Sequence, residues 1–244
     1  MSEVKIIIPS KGRPKLAGRL EPRVPNSIVC VAESEADEYR KYCKNVQTHP
    51  DDIIGVSPVR QWILDNYDGI VVMMDDDIDY LGCYTDVTYR RIKSGDNWIR
   101  IIENCAQMAV DAGANVFGFS QTCDVRKYQP FRPFMLNTWI GSVIGVVGRE
   151  IQFDRNLWLR ADADFCLQNL LKYRIVWLDN RYGFVGDRLK TVGGNSSHRT
   201  KERDDNEIQY LRGKWGKYIK FSDGKTTKGL SLNVKRTFDT MNLL

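Results

Sequence analysis

No apolar run in this chain of 244 residues approaches the ~20 residues of a membrane span; the longest, Trp139 to Val147, falls far short. A charged-then-apolar leader is also missing ahead of the first strand-like run, so the expected setting is the cytoplasm. Six cysteines are present, but none pair in a CxxC spacing, which argues against a zinc ribbon. A chain this long does not need a disulfide scaffold, so most of the cysteines read as small buried residues. Histidine is scarce, with His49 and His198 alone. Disorder is not expected either, since 42% of the residues are hydrophobic and 27% charged.

Positive charge, by contrast, is concentrated. The formal net charge is +5, yet residues 211–236 hold eight basic side chains against Asp223, a surplus of +7 that leaves −2 for the rest. Trp215, Tyr218 and Phe221 are interleaved with Lys214, Lys217 and Lys220, a composition suited to phosphates and stacked bases. A terminal amphipathic helix that docks its rings and leaves its lysines in water accounts for the same pattern.

Short β-branched runs alternate with helical periodicity along the chain. Val4–Ile8, Ser27–Ala32, Val46–Thr48, Gly69–Met74, Val116–Phe119, Trp139–Val147 and Ile175–Leu178 read as strands, several without a polar break and so buried on both faces. Ser34–Asp37 reads as a capping box opening a helix to about Cys43, and Ser57-Pro58 as the cap and first turn of another. Trp98–Ala112 and Arg160–Tyr173 complete the expected helices. Such alternation implies a mostly parallel sheet flanked by helices, with ligands beyond the carboxyl ends of the strands. The expected organisation is one domain over residues 1–200 and a basic C-terminal extension over residues 201–244 packed on it.

That rule directs attention to two loops. Asp75, Asp76 and Asp77 follow the clearest strand, and three adjacent carboxylates repel one another unless a cation offsets them. Oxygen-only donors suit Mg²⁺ or Mn²⁺, and strand alternation would set Asp75 and Asp77 on one side with Asp76 turned away. A solvated acidic turn and a helix cap are the bland alternatives. The other loop, Pro9-Ser10-Lys11-Gly12-Arg13, offers amides and basic side chains to a nucleotide. Arg60 has two options, a diphosphate or a pair with Asp65. Asp162 and Asp164 stand at the mouth of a helix, where the dipole favours acids and where a general base could also sit. His198, in a Gly- and Ser-rich loop, is either simply exposed or a third metal ligand.

Together these segments resemble a GT-A glycosyltransferase. Ile6–Pro14 is similar to the first strand and nucleotide loop of that fold, and Val71–Asp77 to its DxD element. Arg160-Ala-Asp-Ala-Asp-Phe165 is similar to its later acidic segment, although Ala-Asp stands where Glu-Asp is common. The resemblance spans about residues 4 to 200. The loop and the acidic triplet in a short chain look, more narrowly, like the TET/JBP-associated glycosyltransferases, many of them encoded by bacteriophages and acting on hydroxymethylated pyrimidines in DNA.

The resemblance implies a UDP-sugar donor, UDP-glucose first, and a divalent ion on Asp75 and Asp77 with help from His198. It implies nucleotide contacts from Pro9 to Arg13, Arg60, Asp75 and Asp76, and Asp162 or Asp164 as base. DNA is the implied partner through residues 211–236, in host cytoplasm if phage-encoded. Three rivals remain at this point: transfer to a glycan or protein, nucleotidyl transfer, and a non-catalytic nucleic-acid module.

Overall fold

The computed structural model describes residues 3–85, 88–126, 128–186, 200–222 and 229–235. Strands β1 (Val4–Pro9), β2 (Ile28–Ala32), β3 (Val46–His49) and β4 (Ile70–Met74) lie parallel in the order β3-β2-β1-β4. Strand β9 (Val143–Val146) runs antiparallel beside β4, followed by β7 (Val116–Ser120) and then β10 (Trp177–Gly186), which is parallel to β7. An antiparallel hairpin of β5 (Ile78–Thr85) and β6 (Thr88–Ile92) finishes the sheet, and a short β8 (Phe134–Met135) joins β10. Only β5, β8 and β9 oppose the common direction, so the sheet is mostly parallel.

Two cores flank it, and strand alternation sorts side chains between them. Ile6, Ile8, Val72 and Met74 face α1 (Pro14–Leu20), α2 (Ala36–Arg40) and α4 (Gly95–Asp111). Ile7, Val71 and Met73 face α3 (Val56–Asn66) and α5 (Ala161–Tyr173). Every residue of β4 is buried, which explains its unbroken apolar run. Truncating Met73, which is fully buried, removes packing worth about 2–5 kcal/mol.

The C-terminal segment supplies α6 (Lys201–Trp215) and a two-stranded sheet of β11 (Ile219–Ser222) and β12 (Gly229–Leu232). Leu211 and Ile219 are buried in the second core beside α5, and Trp215, Tyr218 and Phe221 pack against it, partly buried. No helix among the described residues is long and apolar enough to cross a membrane.

Two expected caps do not form. Ser34 bonds Asp51 instead, through both its amide and its hydroxyl, and Asp37 pairs with Arg40, so α2 starts only at Ala36. Ser57 lies inside α3 and donates to the Leu157 carbonyl, tying α3 to the segment before α5. The residue before α3 is Gly55, at φ +105°, with the Trp158 ring about where a side chain would go.

Candidate active site

The carboxyl ends of β1 and β4 bring the two predicted loops together. β4 stops at Met74, and the next residues turn, with the Asp75 amide donating to the Ser142 carbonyl (2.8 Å). Because the strand has ended, its alternation does not govern the triplet. Asp76 is not turned away from the loop after β1 but buried against it. Its Oδ2 accepts from the Ser10 hydroxyl at 2.5 Å, and its Oδ1 accepts from Arg13 at 3.0 Å. Asp77 lies on the same guanidinium, at 3.9 Å, whereas Asp75 faces Arg60 at 3.1 Å. The triplet is split between two arginines.

The loop after β1 is braced from behind. With Asp76 ionised, the single Ser10 proton goes to that carboxylate, so Tyr39 gives its own proton to Ser10 (2.7 Å) and accepts the Arg13 amide (2.9 Å). Gly12 has φ +65° and open space around it, so glycine serves its backbone conformation, and its amide meets Glu35 at 2.7 Å. Pro9 ends β1, and Lys11 is exposed. Burial drives the Asp76 carboxyl above its ordinary range despite Ser10 and Arg13, with Asp75 adding to the rise. Burial likewise pushes the Tyr39 hydroxyl up to about 12, which keeps it a proton donor.

Arg60, only 4% exposed, does not pair with Asp65, which takes a hydrogen bond from Gln61. It is held between Asp75 and Asp162, and so links the end of β4 to the first turn of α5. Asp162 keeps a quarter of its side chain exposed. Asp164, by contrast, has none, and accepts from Trp215 Nε1 (2.7 Å), Gln168 (2.7 Å) and Lys214 (2.9 Å). The fold thus removes Asp164 from the cleft and uses it to dock α6, the outcome open to any acid that starts a helix.

Several supporting residues carry no sequence signal. Glu207, on α6, accepts the backbone amides of Trp158, Leu159 and Arg160 at 2.9–3.1 Å, satisfying the orphan donors ahead of α5. Arg160 is anchored in turn on Asp204 at 2.7 Å. Lys214 bridges Asp154 (2.6 Å) and Asp164. Although burial acts to lower it, its hydrogen bonds to these two acids raise its pKa overall. Among the described residues no group of three His, Cys, Asp or Glu side chains is placed to hold a metal by itself. His198, Lys225, Lys228 and Arg236 lie outside the described residues.

Residues 4–194 match the family model for the TET-Associated Glycosyltransferases. The chain belongs to that family. This TET-associated glycosyltransferase is similar in fold to a mannosyltransferase from Pyrobaculum calidifontis, solved in complex with GDP-Man and Mn²⁺. Identity is 13% and the TM-score 0.59, over 92% of this chain and 65% of that one. A mycobacterial protein gives 11% identity and a TM-score of 0.53 over 97% and 85% of the two chains. S. aureus TarS 1–349 gives 13% and 0.44 over 75% and 60%. The chain therefore spans less than two thirds of the mannosyltransferase and of the TarS fragment. No curated protein matches it. The central sheet with helices on both faces is GT-A-like, and the acidic triplet follows β4, the strand beside β1 in it.

Proposed function

We propose that this protein transfers a hexose, glucose from UDP-glucose in the leading case, to the hydroxymethyl group of a modified pyrimidine in DNA. The observation that carries the transferase reading is the pairing of Asp75–Asp77 with Arg13 and Arg60 where β1 and β4 end. Carboxylates and guanidinium groups alternate there, a charge pattern suited to a diphosphate with its counter-cation. Family membership supports glycosyl transfer.

In this reading Lys11, Arg13 and the amides of the loop after β1 receive the nucleotide and its phosphates. The donor set of the triplet fits a hard ion: carboxylate oxygens, with Asp75 35% exposed and Asp77 10%. Asp75 and Asp77 would hold Mn²⁺ or Mg²⁺, whose chemistry when bound is Lewis-acid stabilisation of the departing diphosphate. The remaining coordination would fall to phosphate oxygens, water or His198. The mannosyltransferase neighbour, with its GDP-Man and Mn²⁺, lends support to a nucleotide sugar and a divalent ion in general. Asp162 takes the acceptor hydroxyl proton if the anomeric centre inverts, because it is the acid of α5 that reaches the cleft, and Arg60 fixes its position.

The test is UDP release from UDP-glucose, with Mn²⁺ and then with EDTA. Unmodified DNA, 5-hydroxymethylpyrimidine DNA and an oligosaccharide serve as acceptors. Metal-dependent release with the modified DNA alone is expected. Release with the oligosaccharide alone keeps the transferase and removes the DNA. Pyrophosphate in place of UDP identifies a nucleotidyltransferase.

A further inference from the structure

In the basic tail, Trp215, Tyr218 and Phe221 are partly buried against the core and Lys214 pairs with two aspartates, so less of its aromatic surface is open to DNA. A second basic and aromatic surface begins three residues beyond Asp77. Along β5, Tyr80, Gly82 and Tyr84 share one face of the hairpin, and Tyr89 and Arg91 join them from β6 in the cross-strand register. Tyr80 lies 6.2 Å from Tyr89 with the rings stacked, and the Arg91 guanidinium covers Tyr80 at 4.0 Å.

The segment after β7 folds onto this face. Tyr84 donates to the carbonyls of Thr122 and Asp124 (3.1 and 3.2 Å), and Tyr128 stacks on its ring at 4.4 Å, 5° from parallel. A Cβ at Gly82 would stand 2.5 Å from the Cys123 sulfur, so this glycine is what lets the segment approach. Beyond Tyr128, Phe131 is 79% exposed, the most exposed of the large apolar side chains among the described residues. Arg132 follows it, Arg90 and Arg91 are exposed on β6, and Lys93 is exposed just past its end.

Charges on β6 alone have a plain explanation. β6 is an edge strand, and Lys or Arg on an edge discourages pairing with other chains. That explanation does not extend to Phe131, whose ring gains nothing from water and lies on a different segment. An exposed apolar ring followed directly by an exposed arginine fits a polyanion that also carries flat apolar faces.

We infer that strands β5 and β6, with residues 124–126 and 128–132, form the DNA-binding surface of this protein. Arg91, Lys93 and Arg132 meet phosphates, and Phe131 lies against a base. The inference rests on the reading of DNA as the acceptor and replaces the tail as the element that grips it. Its position follows from chain connectivity, because β5 leaves directly from the acidic triplet at the donor cleft.

The experiment measures fluorescence anisotropy of a labelled 5-hydroxymethylcytosine duplex across a salt series. It uses the full chain and the variants Arg91→Gln/Lys93→Gln/Arg132→Gln, Phe131→Ala and Phe131→Trp, with Lys217→Gln/Lys220→Gln/Lys235→Gln as comparison. All substituted residues are exposed or partly so, and circular dichroism with a thermal melt checks each fold. The hairpin-side triple variant should lower the slope of log K against log salt by about one for each phosphate left without its cation. Phe131→Ala should weaken binding about 5- to 150-fold with little change of slope, and Phe131→Trp should restore it. Wild-type binding by both hairpin-side variants overturns the inference, as does a slope change confined to the tail variant or no binding by the wild type at low salt. UDP release with hydroxymethylated DNA, measured separately on the wild type, tells failure of this surface from failure of the proposed reaction.

Discussion

Glu207 closes the N-terminus of α5 from another helix: its Oε2 accepts the Arg160 amide at 3.0 Å, its Oε1 the Trp158 amide at 2.9 Å, and both oxygens share the Leu159 amide. An acid of the C-terminal segment thus orders the turn that presents Asp162 to Arg60. Removing it leaves three partly buried amides without this acceptor.

Glu207→Ala should therefore lower the unfolding free energy by about 2–4 kcal/mol, the range for losing charged hydrogen bonds at a buried cap. Urea titration followed by fluorescence measures this. Glu207→Gln, which keeps one acceptor, should fall between. A loss under about 0.5 kcal/mol would place Glu207 among ordinary surface residues.

Arg60 joins Asp75 to Asp162 in a largely buried ion-pair chain. Arg60→Ala should cost about 3–5 kcal/mol by leaving Asp75 unpaired inside the cleft. Arg60→Lys keeps the charge but loses the fork that reaches both acids, and should cut transfer about 100-fold or more while folding normally. Unchanged kcat/KM in the lysine variant would rule out the bridging role.

Gly186 ends β10 opposite the triplet, and a Cβ there would lie 2.6 Å from the Asp77 carbonyl and 2.9 Å from its Oδ1. Gly186→Ala should displace Asp77, raising the Mn²⁺ concentration needed for half-maximal turnover, and should lower the melting temperature because the nearest atom is a backbone oxygen. An unchanged metal requirement would separate Asp77 from metal binding.

Asp76 is buried with its carboxyl pKa raised. Between the ordinary carboxylate value and this higher one, the folded chain holds more protons than the unfolded one, so the contribution of Asp76 to stability falls as pH rises through that window. Asp76→Asn has no such component. Compared with wild type, it should gain stability as pH climbs from about 4 to neutrality, read as the difference between paired urea titrations. A difference that does not vary with pH, or one of opposite sign, contradicts burial as the dominant influence.

Much of the sheet was readable because burial on both faces leaves unbroken β-branched runs, as in β1, β2, β4 and β7. The β5–β6 hairpin was not, since Asp79, Gly82 and exposed Arg90 and Arg91 interrupt any apolar pattern at a sheet edge. Asp75–Asp77 and the Pro9–Arg13 loop could be located from where their strands stop. Their pairing could not, because it depends on a turn that begins at Asp75 and cancels strand alternation. Asp162 and Asp164 looked equivalent by sequence, and only the arrival of Trp215 and Lys214 separates them. Spacing cannot report a partner that stands 51 residues away.

These distant partners also bear on the order in which the molecule is made. Asp164 needs Trp215, the amides before α5 need Glu207, and Asn137 and Arg174 donate to the carbonyls of Val234 and Lys235. During synthesis β1 and β4 leave the ribosome long before these anchors do. The nascent chain must therefore wait with the face of α5 uncovered until α6 emerges, a nonlocal closure that slows folding and leaves apolar surface open to chaperones in the interval.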